Sequence, residues 1–310
     1  MRSDIRKANK EYYSSKGENI YSDFSTFAQG SALATCNAIE FASDFSSREG
    51  TVVVCEYGIG KGDFAKTFLD TLKTRNRKLY RRTRYYLFDF SEKMIESARK
   101  NLKTHGAICI LGKFDAAAEL PFLQFDYCRI NELLTDLPAE LFMRKEEGIY
   151  NMGMENGALV GRRNISPPIF ASRFLARIDE GRAMPFNFTA EKFLLELCRR
   201  GKKSFRVDLF DYGFYSADDV FDLEVEEWNR LMIRDFGGQL TVDLNFPQML
   251  SALAADGFRA SLEKQKNYAE RVLGCPLELS DDDGKLDYVE VKKKSDITED
   301  DDFYHLRIGK

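Results

Sequence analysis

The sequence predicts an α/β fold, a mostly parallel sheet of seven strands with helices on both faces, and three observations carry that prediction. Strand-like and helix-like runs alternate from residue 51 onward. The first strand-like run ends in a glycine turn that opens a helix. The alternation is interrupted once, by short runs of hairpin character, and then resumes. Strands separated by helices are joined by right-handed crossovers and therefore pair in parallel.

Thr51 to Glu56 is a β-branched run, and the helix after the glycine turn, Asp63 to Lys73, places Phe64, Phe68, Leu69 and Leu72 on one face. Arg84 to Phe90 is the second strand. Ser91 then caps a helix with Met94, Ile95, Ala98 and Leu102 on one side. Ala107 to Leu111 and Phe125 to Ile130 are the third and fourth strands. After Leu141 come short alternating runs broken at Glu147-Gly148 and Asn156-Gly157, the dipeptides of antiparallel hairpins. The sheet resumes at Ser204 to Phe210, followed by a helix at Pro247 to Ala255, a strand at Phe258 to Leu262 and a last strand at Phe303 to Ile308. The expected organisation is an N-terminal helical or lid segment over 1–50, a core over 51–138 and 201–310, and an insertion over 139–200 that serves substrate or partner.

The totals narrow the function classes. A chain of 310 residues with 44% hydrophobic residues can bury a large core, and its net charge of -4 gives no overall field towards nucleic acid or anionic membrane. No apolar run approaches the length of a membrane span, and acids come early, at Asp4, Glu11 and Glu18, so neither a membrane helix nor a targeting leader is expected. Cysteines at 36, 55, 109, 128, 198 and 275 form no C-x-x-C pair and read as reduced thiols in the cytoplasm. Two histidines, His105 and His305, without clustered ligands argue against a metal. Thr74 to Arg84 holds six basic residues and reads as a solvated loop, with a nucleic-acid or acidic-protein contact as the alternative. Ser280 to Asp302, dense in charge, reads as a solvated loop or extended hairpin.

Glu56-Tyr57-Gly58-Ile59-Gly60-Lys61-Gly62 lies at the carboxyl edge of the first strand, where open α/β sheets bind ligands. Glycines let the backbone turn sharply and approach a ligand, and the next helix offers free N–H groups. The third glycine comes one residue too early for a dinucleotide fingerprint, and no phosphate-binding lysine motif follows. The turn therefore suits the methionine portion of S-adenosylmethionine. Asp89, ending the second strand, is placed to accept from both ribose hydroxyls. Asp115, beside Ala116, is placed to accept from the adenine amino group, and Phe90 and Phe114 can bracket the ring. Alone, each has a bland reading as turn glycine or loop acid. Together, in register on one sheet edge, they point to a Rossmann-like class I methyltransferase.

Methyl transfer from a sulfonium requires alignment of a nucleophile and exclusion of water rather than covalent catalysis. Asn131 and Glu132, in the loop after the fourth strand, are expected to position an acceptor nitrogen; the alternative is that they cap the helix that follows. If the acceptor is a guanidinium, pairing to Glu132 would localise its charge away from the attacking nitrogen.

The chain resembles the MidA-type methyltransferases, a group that includes a mitochondrial complex I assembly factor. The resemblance runs through Tyr12-Tyr13, Ser22-Asp23-Phe24-Ser25-Thr26, Glu56 to Gly62, Asn131 to Pro138, Asp211-Tyr212-Gly213 and Gly238 to Phe246. It implies a protein-directed enzyme with arginine as acceptor. It further implies that Asp23, Phe24 and Thr26 fold over cofactor or substrate, with Asp136, Asp211 and Tyr212 on the substrate side. Thr135 stands where the family usually has aspartate, with Asp136 one place later, and Asp243 and Asn245 replace a histidine and an aspartate. Those changes keep open a small-molecule or nucleic-acid acceptor, or a cofactor-binding assembly factor without transfer.

Overall fold

A computed structural model describes residues 2–16, 23–155, 158–164, 166–216, 223–292 and 302–310. Seven strands form the continuous path of the central sheet: β1 (Val52–Tyr57), β2 (Thr83–Asp89), β3 (Cys109–Lys113), β4 (Phe125–Asn131), β9 (Gly201–Phe214), β13 (Arg259–Lys264) and β16 (Phe303–Gly309). Their order is β13-β16-β9-β4-β1-β2-β3, and the two-residue β12 (Leu244–Asn245) adds to β9. All neighbours on this path are parallel except β16, which runs against both β9 and β13. Gly213 makes the β12 pairing possible, since a Cβ there would meet the Leu244 carbonyl oxygen at 2.2 Å.

Alternation along β1 separates the two faces. Val53, Cys55 and Tyr57 face a layer built with the helix Phe188–Arg200 and the helix Phe246–Ala255; Val52 and Val54 face the helices α2 (Ala32–Phe45) and α3 (Asp63–Arg75). Phe41, Phe45, Phe68 and Leu72 are fully or nearly fully buried on the second face.

Between β4 and β9 the chain builds a second sheet, β7-β6-β5-β8, from β5 (Glu140–Lys145), β6 (Gly148–Glu155), β7 (Ala158–Arg163) and β8 (Ala183–Phe186). The helix Phe188–Arg200 lies in the 139–200 segment of the sequence but packs on the central sheet through Phe193, Leu194 and Leu197. Conversely, the helix Val225–Leu231 and the hairpin of β10 (Ile233–Phe236) and β11 (Gln239–Val242) pack on the inserted sheet through Trp228, Met232, Ile233 and Val242. Hydrophobic spacing gives local elements but not the neighbour each one chooses.

One loop reading changes and a second is narrowed to one of its alternatives. Arg77–Arg82 is a short helix, capped by the Asn76 side chain and anchored by buried Leu79. Leu277–Asp282 (β14) and Lys285–Glu290 (β15) form the antiparallel hairpin that was one of two readings for the charged stretch. Asn156-Gly157, Ser22 and residues 293–301 lie outside the described residues. Among the described residues no helix is long and apolar enough to cross a membrane.

Glu56 and Arg129 are register partners on β1 and β4, so their side chains emerge on the same face. They form a buried ion pair there, with the Tyr85 hydroxyl donating to Glu56 and Arg129 lying over the Phe64 ring. Replacing one partner strands a charge in the core. Arg129→Met is expected to lower unfolding free energy by about 3–5 kcal/mol in denaturant titrations, and the double variant Glu56→Gln/Arg129→Met to recover part of that loss.

Candidate active site

The carboxyl ends of β1, β2 and β4 open into a cavity of about 400 Å³, within the usual range for small-molecule sites. Gly58 and Gly60 line it with φ of 74° and 52°, the left-handed region glycine tolerates. A Cβ on Gly58 would lie 3.1 Å from the Leu133 side chain, so the turn and the loop after β4 touch. Asp89, Phe90, Phe114, Asp115 and Ala116 line the same space. Asp89 accepts from Gly60 N at 3.1 Å and Ser91 N at 2.9 Å, and burial pushes its carboxyl up to about 6. Phe114 is mostly occupied by an aromatic cluster with Tyr57, Phe88 and Phe193.

Four residues assigned to the site from sequence lie outside the cavity lining. Glu56 shares the strand parity of Val52 and Val54, so it points into the helix layer where Arg129 holds it. Gly62 caps α3 and faces Ala98 and Leu102. Asp23 pairs with Lys16 at 2.7 Å and accepts from the Tyr12 hydroxyl. Asp211 is fully buried beneath the loop, accepting from Leu134 N at 2.9 Å and Thr135 Oγ1 at 2.8 Å.

That loop carries the other predicted residues into the cavity. Asn131, Glu132, Thr135 and Asp136 line it, together with Phe24, Thr26 and Tyr212. Glu132 takes a positive φ of 46°, and its Oε1 accepts from Thr26 Oγ1 (3.0 Å), Phe27 N (3.0 Å) and Asn131 Nδ2 (2.9 Å). Burial raises its carboxyl to about 7, against those hydrogen bonds. The Asn131 Oδ1 is buried with no partner. Thr135 turns inward to Asp211, and Asp136, one place later, is the acid that reaches the cavity.

The N-terminal segment expected as a helix or lid supplies one wall, and of its residues there Tyr13 was marked in the sequence while Arg6, Asn9 and Lys10 were not. The N-terminal helix Arg2–Lys16 (α1) contributes Arg6, Asn9, Lys10 and Tyr13. Asn9 bonds the Leu240 N–H and carbonyl at 2.8 and 2.9 Å, imitating a strand neighbour, while Arg6 and Lys10 pair with Asp115. A second wall comes from Arg234, Phe236, Gln239 and Thr241 of the β10–β11 hairpin. Asp243 does not line the cavity; it holds Arg234 at 3.1 Å, and Arg234 stacks over Tyr212. Gln239 and Thr241 fall in the family-like Gly238 to Phe246 stretch, whereas nothing in the sequence marked Arg6 or Lys10.

The residues present fit S-adenosylmethionine: an open glycine turn, a carboxylate at the end of β2 and an aromatic, partly polar slot beyond it. Asp89→Ala is expected to weaken S-adenosylhomocysteine binding by about 1.5–3 kcal/mol in calorimetry; unchanged affinity would remove Asp89 from the site. Burial raises Asp89 and Asp136 to about 6, Glu132 to about 7, Asp243 to about 6 and Asp211 to about 8. Between their ordinary values near 4 and these raised values the folded state binds more protons than the unfolded state. Stability of the ligand-free protein should therefore fall as pH rises from 5 to 8, by about 3 kcal/mol for Glu132 alone, in thermal or denaturant melts.

Comparison with known proteins agrees with the geometry. A solved structure of an uncharacterized protein from Burkholderia thailandensis superposes with a TM-score of 0.70 at 18% identity, covering 99% of this chain and 87% of that one. A second Burkholderia thailandensis structure of the same superfamily, bound to S-adenosyl-homocysteine, gives 0.66 at 17% identity, covering 92% and 78%. These likenesses show a shared fold. No curated protein matches the sequence. The model of a family of S-adenosyl-L-methionine-dependent methyltransferases matches residues 36–224 of the 310. The chain belongs to that family, the MidA-type S-adenosyl-L-methionine-dependent methyltransferases, and its cofactor is S-adenosylmethionine.

Proposed function

We propose that the methyl acceptor is a side-chain nitrogen of a protein, and specifically an arginine guanidinium. The observation that carries this reading is Glu132, a carboxylate without a cationic partner of its own, held at the cavity wall by Thr26, Phe27 and Asn131. A planar cation with several N–H groups would meet Glu132 and the orphaned Asn131 Oδ1 together. Phe24, Tyr212 and Phe236 line the approach and would cover an apolar stem.

When bound, the cofactor supplies an electrophilic methyl group on a sulfonium, which leaves as a neutral thioether. The acceptor nitrogen's lone pair forms the new N–C bond, and the proton that nitrogen then loses passes to Glu132 or to solvent. Thr26 and Phe27, pinned over Glu132 by the Thr26 N to Gly284 O (2.9 Å) and Leu286 N to Thr26 O (3.0 Å) bonds, keep water from its Oε1. No disulfide links the six cysteines, which suits a reducing compartment such as the cytoplasm.

Incubation of cell lysate with the enzyme and methyl-labelled cofactor should place label in protein, and hydrolysis should recover it as methylated arginine; label in nucleic acid or small molecules alone would sink the reading. Glu132→Gln should reduce transfer by about 10²–10⁴-fold while leaving S-adenosylhomocysteine affinity within about threefold. Because Glu132 ionises near pH 7, transfer should rise between pH 6 and 8, and the variant should lose that limb.

A further inference from the structure

The cofactor's methionine tail carries an ammonium group that needs a partner once it leaves water. The acid of the glycine turn is the first candidate by position, but Glu56 is turned into the core and paired with Arg129. The partner must come from the cavity wall. Asp115 is already paired with Arg6 and Lys10, Asp89 accepts two backbone N–H groups at the end of β2, and Glu132 is held by the Thr26 segment. Asp136, like Asp89 and Glu132, accepts only from neutral groups, Tyr13 Oη at 2.7 Å and Gln239 Nε2 at 2.8 Å, but both of its donors are side chains and one of them carries an unsatisfied buried acceptor, the Gln239 Oε1.

We propose that Asp136, held by Tyr13 and Gln239, receives the α-ammonium group of the cofactor. Its place fits: the Asp136 N–H donates to the Leu133 carbonyl at 3.2 Å, and Leu133 packs on Gly58. On its other side Tyr13 meets Phe90 edge to face at 5.3 Å. Asp136 thus lies between the glycine turn and the end of β2, the two elements that bracket the adenosyl group. Gln239 adds an independent sign. An ionised carboxylate only accepts, so the amide nitrogen must face Asp136, which leaves the Gln239 Oε1 buried without a donor in a residue 4% exposed. A compact cation with three N–H groups satisfies both acceptors at once. Tyr13 and Gln239 are then positioning residues, and α1 takes part in cofactor binding through Tyr13.

This inference rests on Gly58, Gly60 and Asp89 forming the adenosyl site. It is tested by calorimetry with two probes, S-adenosylhomocysteine and 5′-methylthioadenosine, which share the adenosine and thioether but differ in the amino-acid tail. Asp136→Asn should weaken the first about 10- to 100-fold and leave the second within about twofold. Tyr13→Phe, which removes one hydroxyl and carries the test if Asp136→Asn does not fold, should weaken only the first, by about threefold or more. Asp89→Ala should weaken both. Equal losses for both probes, or no loss for S-adenosylhomocysteine, would overturn the role of Asp136. Binding of neither probe by the wild-type protein would remove the adenosyl site itself, and this assignment with it.

Discussion

The Asp211 carboxylate, fully buried at the carboxyl end of β9, holds the loop after β4 by accepting from Leu134 N, Thr135 N and Thr135 Oγ1. Glu132 N in turn donates to the Phe210 carbonyl at 2.8 Å. With the backbone fixed at these points, Leu134 drops into the core, Leu133 meets the glycine turn, and Glu132 and Asp136 are left facing the cavity. The Asp-Tyr-Gly triplet reads accordingly: the acid supports the loop, the tyrosine lines the cavity, and the glycine allows a strand to approach. The threonine at 135 belongs to the same arrangement, since its hydroxyl supplies a donor that an aspartate there would lack.

Buried charge is handled differently in the two halves of the sheet. On the face covered by α2 and α3 Asp208 is met by Arg206, Arg307, His305 and the Tyr127 hydroxyl, and the two guanidinium groups together with these hydrogen bonds hold its carboxyl well below the usual range despite its burial. Around the cavity, Asp89, Glu132 and Asp136 have neutral donors and stand above the usual range because burial disfavours their charge. The first arrangement is complete within the chain; the second would be completed by cationic or hydroxyl-bearing ligands. Such ligands would stabilise the fold by mass action and bind through groups already in position.

The site is assembled from distant stretches of chain. Asn9 inserts its amide beside β11, Tyr13 and Gln239 converge on Asp136, and Thr26 reaches Glu132 while pairing with the β14–β15 hairpin. Residues from α1, the β10–β11 hairpin and the β14–β15 hairpin therefore share one enclosure with the motif residues of the central sheet, whereas, among the described residues, the inserted sheet between β4 and β9 contributes no lining residue. Enclosure of this kind excludes water from a displacement whose chemistry asks little else of the protein.

Much of this was determined by the sequence alone. The alternating pattern fixes a parallel sheet with helices on both faces, the glycine spacing after Glu56 locates the ligand edge, and Asp89 at a strand end places a carboxylate there. Each depends on a period or on a backbone conformation that only certain residues adopt, so each can be read locally. Glu56 was misread because a motif position does not reveal strand parity relative to a partner strand; Arg129, its register neighbour, is 73 residues away. Asp23 and Asp211 were placed near the site but serve it from behind, as supports whose direction depends on contacts far along the chain. Tertiary structure alone decided which residues of the expected N-terminal helical or lid segment reach the cavity, that Arg6 and Lys10 meet Asp115, and that Asp243 faces Arg234 rather than the cavity. These are pairings between elements, and burial, charge compensation and packing select them only when the whole chain is folded.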